Sequence, residues 1–281
     1  MSFVHMRDLV VEARKNKYAV GAFTVWDLAS IHAVISVAHE LNKPTILMIG
    51  PNEIGYAGLA DLSRLAIDQA HMAKTPVAVH LDHGQSFDQI MQCINHGFSS
   101  VMLDVSHLPF DQNVEATREV VRVAHSCGVT VEGELGRIGG HEAGTDVIDH
   151  DDYLTDPNEA ATYVEQTGVD CLAVGIGTVH GLYKCKPNIH LDRLKRISQK
   201  VRVPLVLHGG SDTPHEIIKK AISLGIAKIN ICTDFLIAFA DTFVSQRSQT
   251  DFKLSIPGVF SKPKSAASEI VRSKIKLFSG L

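Results

Sequence analysis

The chain has 281 residues, 45% of them hydrophobic, and a formal net charge of −4. That is enough apolar material for a large core, and the weak negative charge excludes nucleic acid or an anionic membrane surface as a partner held by bulk charge. An anionic ligand has to be held by a local site.

In chain order, Tyr18–Thr24 reads as a first strand, Pro44–Ile49 as a second and Pro76–Leu81 as a third. A helix is predicted over Asp88–Asn95, then a strand over Ser99–Leu103, a helix over Asn113–His125 and a strand over Val129–Glu134. The alternation continues with helix Asn158–Gln166, strand Cys171–Ile176, helix Leu191–Lys200, strand Pro204–Leu207, helix Pro214–Leu224 and strand Ala227–Ile231. Asp156-Pro157-Asn158-Glu159 and Thr213-Pro214-His215-Glu216 each read as a capped start with proline at the first helical position. Gly97, Gly128, Gly168 and Gly225 fall between a helix and the next strand, where a left-handed C-cap is wanted. Eight strands alternating with helices predict an α/β fold of the (β/α)8 TIM-barrel kind. The competitor is an open doubly wound sheet. It usually carries a glycine-rich turn after its first strand, and the segment here, FTVWDLAS, has none.

Five cysteines, at 93, 127, 171, 185 and 232, include no CxxC pair, which fits a reducing compartment better than a disulfide framework or a zinc ribbon. No signal-like start, no 18-residue apolar run and no shift in composition is present. The expectation is a cytoplasmic protein without a membrane partner, one domain over residues 1–281.

In a barrel, chemistry collects at the C-terminal ends of the strands. Here the third strand ends in Asp82-His83, the fourth in Asp104 (followed by Ser106 and His107) and the fifth in Glu134. The sixth runs out through GIGTVHG to His180, the seventh ends in His208 followed by Gly209-Gly210-Ser211, and the eighth ends in Asn230, with Thr233 beyond. Three imidazoles from three strands, His83, His180 and His208, suggest a zinc site with a coordination position left open, as a Lewis-acid catalyst needs. Asp104 and Glu134 are candidates for orienting those ligands or for alternative metal positions. The chain has 15 histidines, so most must be structural. His80 alternates in phase with Asp82 and reads as a hydrogen-bonded residue inside the barrel; Glu132, in phase with Glu134, reads as a buried ion partner. Strict alternation sends Asp82 and His83 to opposite faces, so both reach the mouth only if the chain bends after Asp82, which Gly84 allows. HGGS before a helix start exposes backbone N–H groups as an anion cradle, and NICT after the eighth strand adds an amide and a hydroxyl. Barrels often bind phosphate at these two loops, the alternative being an ordinary tight turn.

The stretches HLDHGQSFD, SVMLDVSHLPFDQN, VEGELGRIGG, GTVHGLY, PLVLHGGS and KINICTDF resemble the class II, zinc-dependent ketose-bisphosphate aldolases, in particular their short tagatose-/fructose-bisphosphate branch. The resemblance runs from about Ala19 to Phe235. It implies that His83, His180 and His208 bind zinc and that Asp82 gives and takes the proton of the C4 hydroxyl. Glu142, on the loop Gly136–Gly144, would carry the C3 proton. Gly181, Gly209, Gly210, Ser211, Asn230, Ile231, Cys232 and Thr233 would hold dihydroxyacetone phosphate, a sodium or potassium ion often assisting. The implied reaction is reversible cleavage of a ketose 1,6-bisphosphate to dihydroxyacetone phosphate and an aldehyde such as glyceraldehyde 3-phosphate, in a homo-oligomer (dimer or tetramer). The alternative within the family is a different aldehyde, a sugar acid or an unphosphorylated one.

This sequence departs from the family pattern in four places. Thr24 stands where asparagine is usual, ILMIGPNEIGYAGL lacks a clear serine for a second phosphate, Asp212 follows the cup where glycine is usual, and the tail after about Thr250 resembles the family little. These bear on the aldehyde half and leave the zinc and dihydroxyacetone-phosphate chemistry intact. Asp is among the better-tolerated residues at φ > 0, so Asp212 is expected there, turned outward or bridged to the phosphate by a cation. Two other functions compete. A metal-dependent barrel hydrolase would carry HxH after the first strand, where VGAFTVWD has no histidine. A non-catalytic sugar-phosphate sensor would not need Asp82, Glu142 and three histidines together.

Overall fold

The structure is a computed structural model that describes residues 2–140, 153–184, 187–248 and 254–281. Eight parallel strands close a barrel: β1 (Val20–Thr24), β2 (Thr45–Ile49), β3 (Val77–Gly84), β4 (Ser100–Leu103), β5 (Thr130–Leu135), β6 (Cys171–Val174), β7 (Leu205–Leu207) and β8 (Ile226–Ile231). Each pairs with its neighbours in sequence, and β1 closes on β8 through Val20↔Lys228 and Phe23↔Ile231. The expected TIM barrel is the fold, and all eight expected strands are present. A parallel strand is covered on both faces, so these strands read as continuous apolar runs; β1 and β2 are buried throughout.

Two packed layers result. One cluster, including Phe23, Leu47, Val79, Leu172, Leu207 and Ile229, lies between the strands and the surrounding helices. The other fills the barrel with Val20, Ala22, Ile46, Met48, Ala78, Ala173 and Val206, closed by Met6, Leu9, Val10 and Ala13 of the helix Met6–Asn16. Further along the same inward phase the side chains turn polar. His80, Glu132, Glu134, His208, Lys228 and Asn230 are all buried there. The alternation that builds the core therefore also carries a polar layer toward the strand C-termini.

Several expected boundaries shift. β3 runs on to Gly84, and its register against β4 slips between Leu81 and Gly84. The expected bend is taken at His83 itself, with φ 49. Gly84 matters for close approach, since a Cβ there would lie 2.6 Å from the Met102 carbonyl oxygen. β6 ends at Val174, and the chain beyond it pairs Val179–His180 with Gly139–Gly140 outside the barrel. Gly97, Gly128, Gly168 and Gly225 all have positive φ, and Asp156 caps the helix Pro157–Thr167 as expected. Thr213 is not a cap: the helix His215–Ser223 starts later without a side-chain cap, and the Thr213 hydroxyl donates to the Gly209 carbonyl at 2.9 Å.

The tail forms a helix, Ile256–Ser279, packed on Leu28–Glu40 and Thr233–Ser245. Arg272 grips Glu40 through Nε at 3.1 Å and Nη2 at 2.6 Å. No helix among the described residues is long and apolar enough to cross a membrane.

Candidate active site

The left-handed turn at His83 reconciles two neighbours with opposite phases. Asp82 keeps the inward direction, and its Oδ1 accepts a hydrogen bond from Asn230 Nδ2 at 3.0 Å. His83 meets the same mouth, its Nε2 3.9 Å from Asp82 Oδ2. One nitrogen each from His83, His180 and His208 lies within 4.8 Å of the others. The rings stand at steep angles, His83 being 71° to His208 and 86° to His180, so their nitrogens converge instead of stacking.

Two of the rings are oriented from behind. His83 Nδ1 is 2.7 Å from Asp104 Oδ2, and Asp104 Oδ1 accepts from the Ser106 hydroxyl at 2.8 Å. His208 Nε2 is 2.9 Å from Glu132 Oε1, while its Nδ1 lies 3.1 Å from Glu134 Oε2. Metal-binding imidazoles are typically held by a carboxylate on the far nitrogen, which fixes the ring and raises its basicity. Asp104 has that geometry toward His83, and Glu132 toward His208.

Charge makes the same point. Burial opposes charge on His83, but Asp82, Asp104 and Glu134 outweigh it and raise its pKa well above the ordinary value. Burial likewise opposes charge on His208, yet hydrogen bonds to Glu132 and Glu134 raise it to about 9. His180 goes the other way, to about 3, through burial and then the neighbouring His83 and His208. Asp82 is held at about 2 because His83 and Lys228 overcome its burial. The carboxylates Asp82, Asp104, Glu132 and Glu134 surround three imidazoles and the Lys228 ammonium. With neutral imidazoles the carboxylates exceed Lys228 by three charges, and a divalent cation fits that excess. Nitrogen donors in a three-residue set suit zinc.

A second group, His80, Asp82 and Glu132, offers one imidazole and two carboxylates in similar proximity. It already contains a cation: Lys228 Nζ sits 2.9 Å from Glu132 Oε2, both side chains fully buried. His80 Nδ1 is 2.8 Å from the Ser100 hydroxyl, and burial brings its pKa to about 3. His80 and Glu132 thus hold the places expected of them. Lys228 was not singled out from the sequence, although a lysine in phase with Asn230 inside an apolar strand was a usable signal.

The two glycine-rich loops also meet. Gly209 has φ 67, and a Cβ there would be 2.2 Å from the Val179 oxygen, so only glycine fits. Gly210 N–H donates to the Asn230 carbonyl at 3.1 Å, and Asp234 N–H donates to the Ser211 hydroxyl at 3.2 Å. The helix that opens beside this cup is Thr233–Ser245, with Cys232 at its cap position, and not the one after Thr213. Ile231 ends β8, and Asn230 Oδ1 is buried without a hydrogen-bond partner among the described residues. Gly181 follows His180 with φ 93.

Asp212 has φ 55, as expected. Its side chain is exposed, as expected of an outward residue, and its carboxylate accepts the Tyr183 N–H at 3.0 Å, while its own N–H points to Asp234 at 3.3 Å. Lys274, from the C-terminal helix, pairs with Asp234 at 2.5 Å. That link was missed because the tail carried no recognised motif. Glu142 lies outside the described residues.

Fold and site define an α/β-barrel enzyme whose imidazoles and carboxylates converge at the strand C-termini. Residues 4–280 match the family model "Fructose-bisphosphate aldolase class-II". A fructose-bisphosphate aldolase of Thermus caldophilus is 41% identical over 298 aligned residues, covering 98% of this chain and 97% of the relative. Among solved structures, the YdjI aldolase of Escherichia coli K12 superposes with a TM-score of 0.88 at 36% identity, covering 98% of this chain and 97% of that one. A fructose-bisphosphate aldolase of Campylobacter jejuni shares the fold, with a TM-score of 0.84 at 22% identity, covering 99% of this chain and 96% of that one. The chain belongs to the class II fructose-bisphosphate aldolase family and is an aldolase, a carbon–carbon lyase. The match extends through the C-terminal helix, beyond the stretch whose motifs were legible.

Proposed function

We propose that the enzyme is a zinc-dependent aldolase that reversibly cleaves a ketose phosphate to dihydroxyacetone phosphate and an aldehyde. The observation that carries this reading is the convergence of His83, His180 and His208 within 4.8 Å, with Asp82 beside them. Zinc held by those imidazoles supplies Lewis-acid stabilisation of the negative charge that develops on the ketone oxygen as the bond breaks.

The chain's own residues do the rest. Asp82, held by Asn230 and kept ionised by its surroundings, takes the proton of the C4 hydroxyl and returns it in condensation. Asp104 and Glu132 hold two rings in place, and Glu134 adds charge beside His208. Gly181, Gly209–Ser211 and Asn230–Thr233 cradle the phosphate, and a sodium or potassium ion bound nearby assists. Glu142 carries the C3 proton. The enzyme works in the cytoplasm as a dimer or tetramer.

The first substrates to try are the 1,6-bisphosphates of tagatose and fructose, with glyceraldehyde 3-phosphate as the aldehyde product. A second reading, an aldehyde without phosphate, is favoured by one observation: from 18 to 42, from 44 to 63 and from 75 to 117 the sequence has no lysine or arginine. These stretches include the loops after β1 to β4. The test is cleavage of ketose phosphates, with exchange of the dihydroxyacetone phosphate C3 proton, before and after chelation. Activity lost on chelation and restored by zinc is expected. Turnover indifferent to chelator, or no turnover and no exchange, would contradict the proposal.

A further inference from the structure

We propose that Glu53 selects the aldehyde half of the substrate, rejecting a second phosphate and accepting an uncharged hydroxyaldehyde. The inference rests on the dihydroxyacetone-phosphate aldolase reading above and extends it to the other product.

The phosphate cup belongs to the loops after β7 and β8, and Asp82, near the end of β3, is held by Asn230 of β8. A ketose running from the cup past Asp82 points its remaining carbons toward the ends of β1, β2 and β3. Val25 N–H donates to the Met48 carbonyl there at 2.9 Å, so these strand ends form a continuous wall. Gly50 follows β2, and the helix Pro51–Ala57 begins at once. Glu53, in its first turn, folds back so that Oε2 accepts the Gly50 N–H at 3.0 Å. A Cβ on Gly50 would lie 2.9 Å from that oxygen and 3.5 Å from the Asp82 carbonyl oxygen. The carboxylate therefore sits at the end of β2 and holds Gly50, which also lies close to the backbone of Asp82. Burial first, and the charge of Asp82 after it, raise its pKa, as expected for a second carboxylate facing the same space.

Three features then act together on anything carried beyond C4. The backbone N–H of Gly50, a donor a phosphate could use in this loop, is already taken. The lysine- and arginine-free stretches around β1 to β4 offer no counter-cation from those loops. The fixed charge is negative, so a phosphate dianion is repelled, whereas hydroxyl groups find an acceptor. Gly50 itself has no side chain with which to take a phosphate.

Glu53 is also an N-terminal cap of its helix, and a cap alone would give the same hydrogen bond. The substitution Glu53→Gln separates the two roles, because the amide oxygen can still accept from Gly50 while the charge is gone. The readout is the ratio of kcat/KM for condensation of dihydroxyacetone phosphate with D-glyceraldehyde and with D-glyceraldehyde 3-phosphate. Wild type should favour glyceraldehyde. Glu53→Gln should move the ratio toward the phosphorylated aldehyde by about 10-fold, and by less at high salt. A wild type that prefers glyceraldehyde 3-phosphate, or a ratio the substitution leaves in place, overturns the inference. If the C3 proton of dihydroxyacetone phosphate still exchanges in that case, the aldolase reading survives. If there is neither exchange nor condensation, both fall.

Discussion

Two clusters of histidine and carboxylate share the barrel interior, and they differ in where their positive charge comes from. The lower one, His80, Asp82 and Glu132, encloses the ammonium of Lys228 at 2.9 Å from Glu132, with no exposure of either side chain. The upper one, His83, His180 and His208, stands at the mouth with its rings converging and carboxylates behind them. Both have donors close enough to hold an ion, the lower through one imidazole and two carboxylates and the upper through three imidazoles. What distinguishes them is an internal cation in one and three converging imidazoles in the other. The two touch, His208 at 2.9 Å from Glu132 and His83 at 3.9 Å from Asp82, so the lower cluster helps to aim the upper one.

The largest effect should come from breaking the upper cluster. His208→Ala removes one of three imidazoles and should abolish both bound metal and turnover, measured by metal analysis and by cleavage of ketose phosphate. Retained stoichiometric zinc in that variant would mean the ligands lie elsewhere.

Asp82→Asn tests the carboxylate beside His83 without deleting a nitrogen. Cleavage should fall by about 10² to 10⁴-fold, the usual range for a lost acid–base group, while metal content stays. A variant that keeps wild-type turnover would remove Asp82 from the reaction.

Lys228→Met probes the lower cluster, leaving Glu132 buried without its cation. Breaking one side of a buried pair costs about 3–5 kcal/mol, read as a shift in the denaturant midpoint. A loss near zero would show that the lower cluster does not depend on its lysine.

The two clusters also predict a pH dependence. Without metal, His208 is raised to about 9 and His83 is raised well above its ordinary value. Protons therefore compete with the metal for both nitrogens. Zinc affinity should rise with pH until it passes about 9, with protons released on binding. Calorimetry in buffers of different ionisation enthalpy measures that release; no proton release near neutral pH would contradict the assignment.

Asp212→Gly should have the smallest effect. The carboxylate is engaged with the Tyr183 N–H, so affinity for dihydroxyacetone phosphate should change by less than about tenfold, the range of one net hydrogen bond. A much larger gain would show that Asp212 opposes phosphate in the cup.

Most of the barrel was legible because parallel strands are written as short apolar runs and their helices as periodic ones. The three histidines were legible because each follows such a run. The bend after Asp82 that brings Asp82 and His83 together was foreseen, but Gly84 was the residue expected to permit it; the turn is taken at His83, where a left-handed conformation is uncommon. Thr213 carried the signature of a cap and serves instead to tie its hydroxyl to Gly209, a tertiary choice that no local pattern encodes. Lys228 and Lys274 were missed for a related reason. Each is a cation whose meaning depends on an acid distant in sequence, Glu132 for one and Asp234 for the other.

The central claim is that the metal sits in the upper cluster and Lys228 takes its place in the lower one. Diffraction from zinc-loaded crystals, with anomalous scattering recorded at the zinc edge, tests it most directly. The account predicts one strong peak between His83, His180 and His208 and none beside Lys228. A peak among His80, Asp82 and Glu132, or no ordered zinc between the three imidazoles, would contradict it.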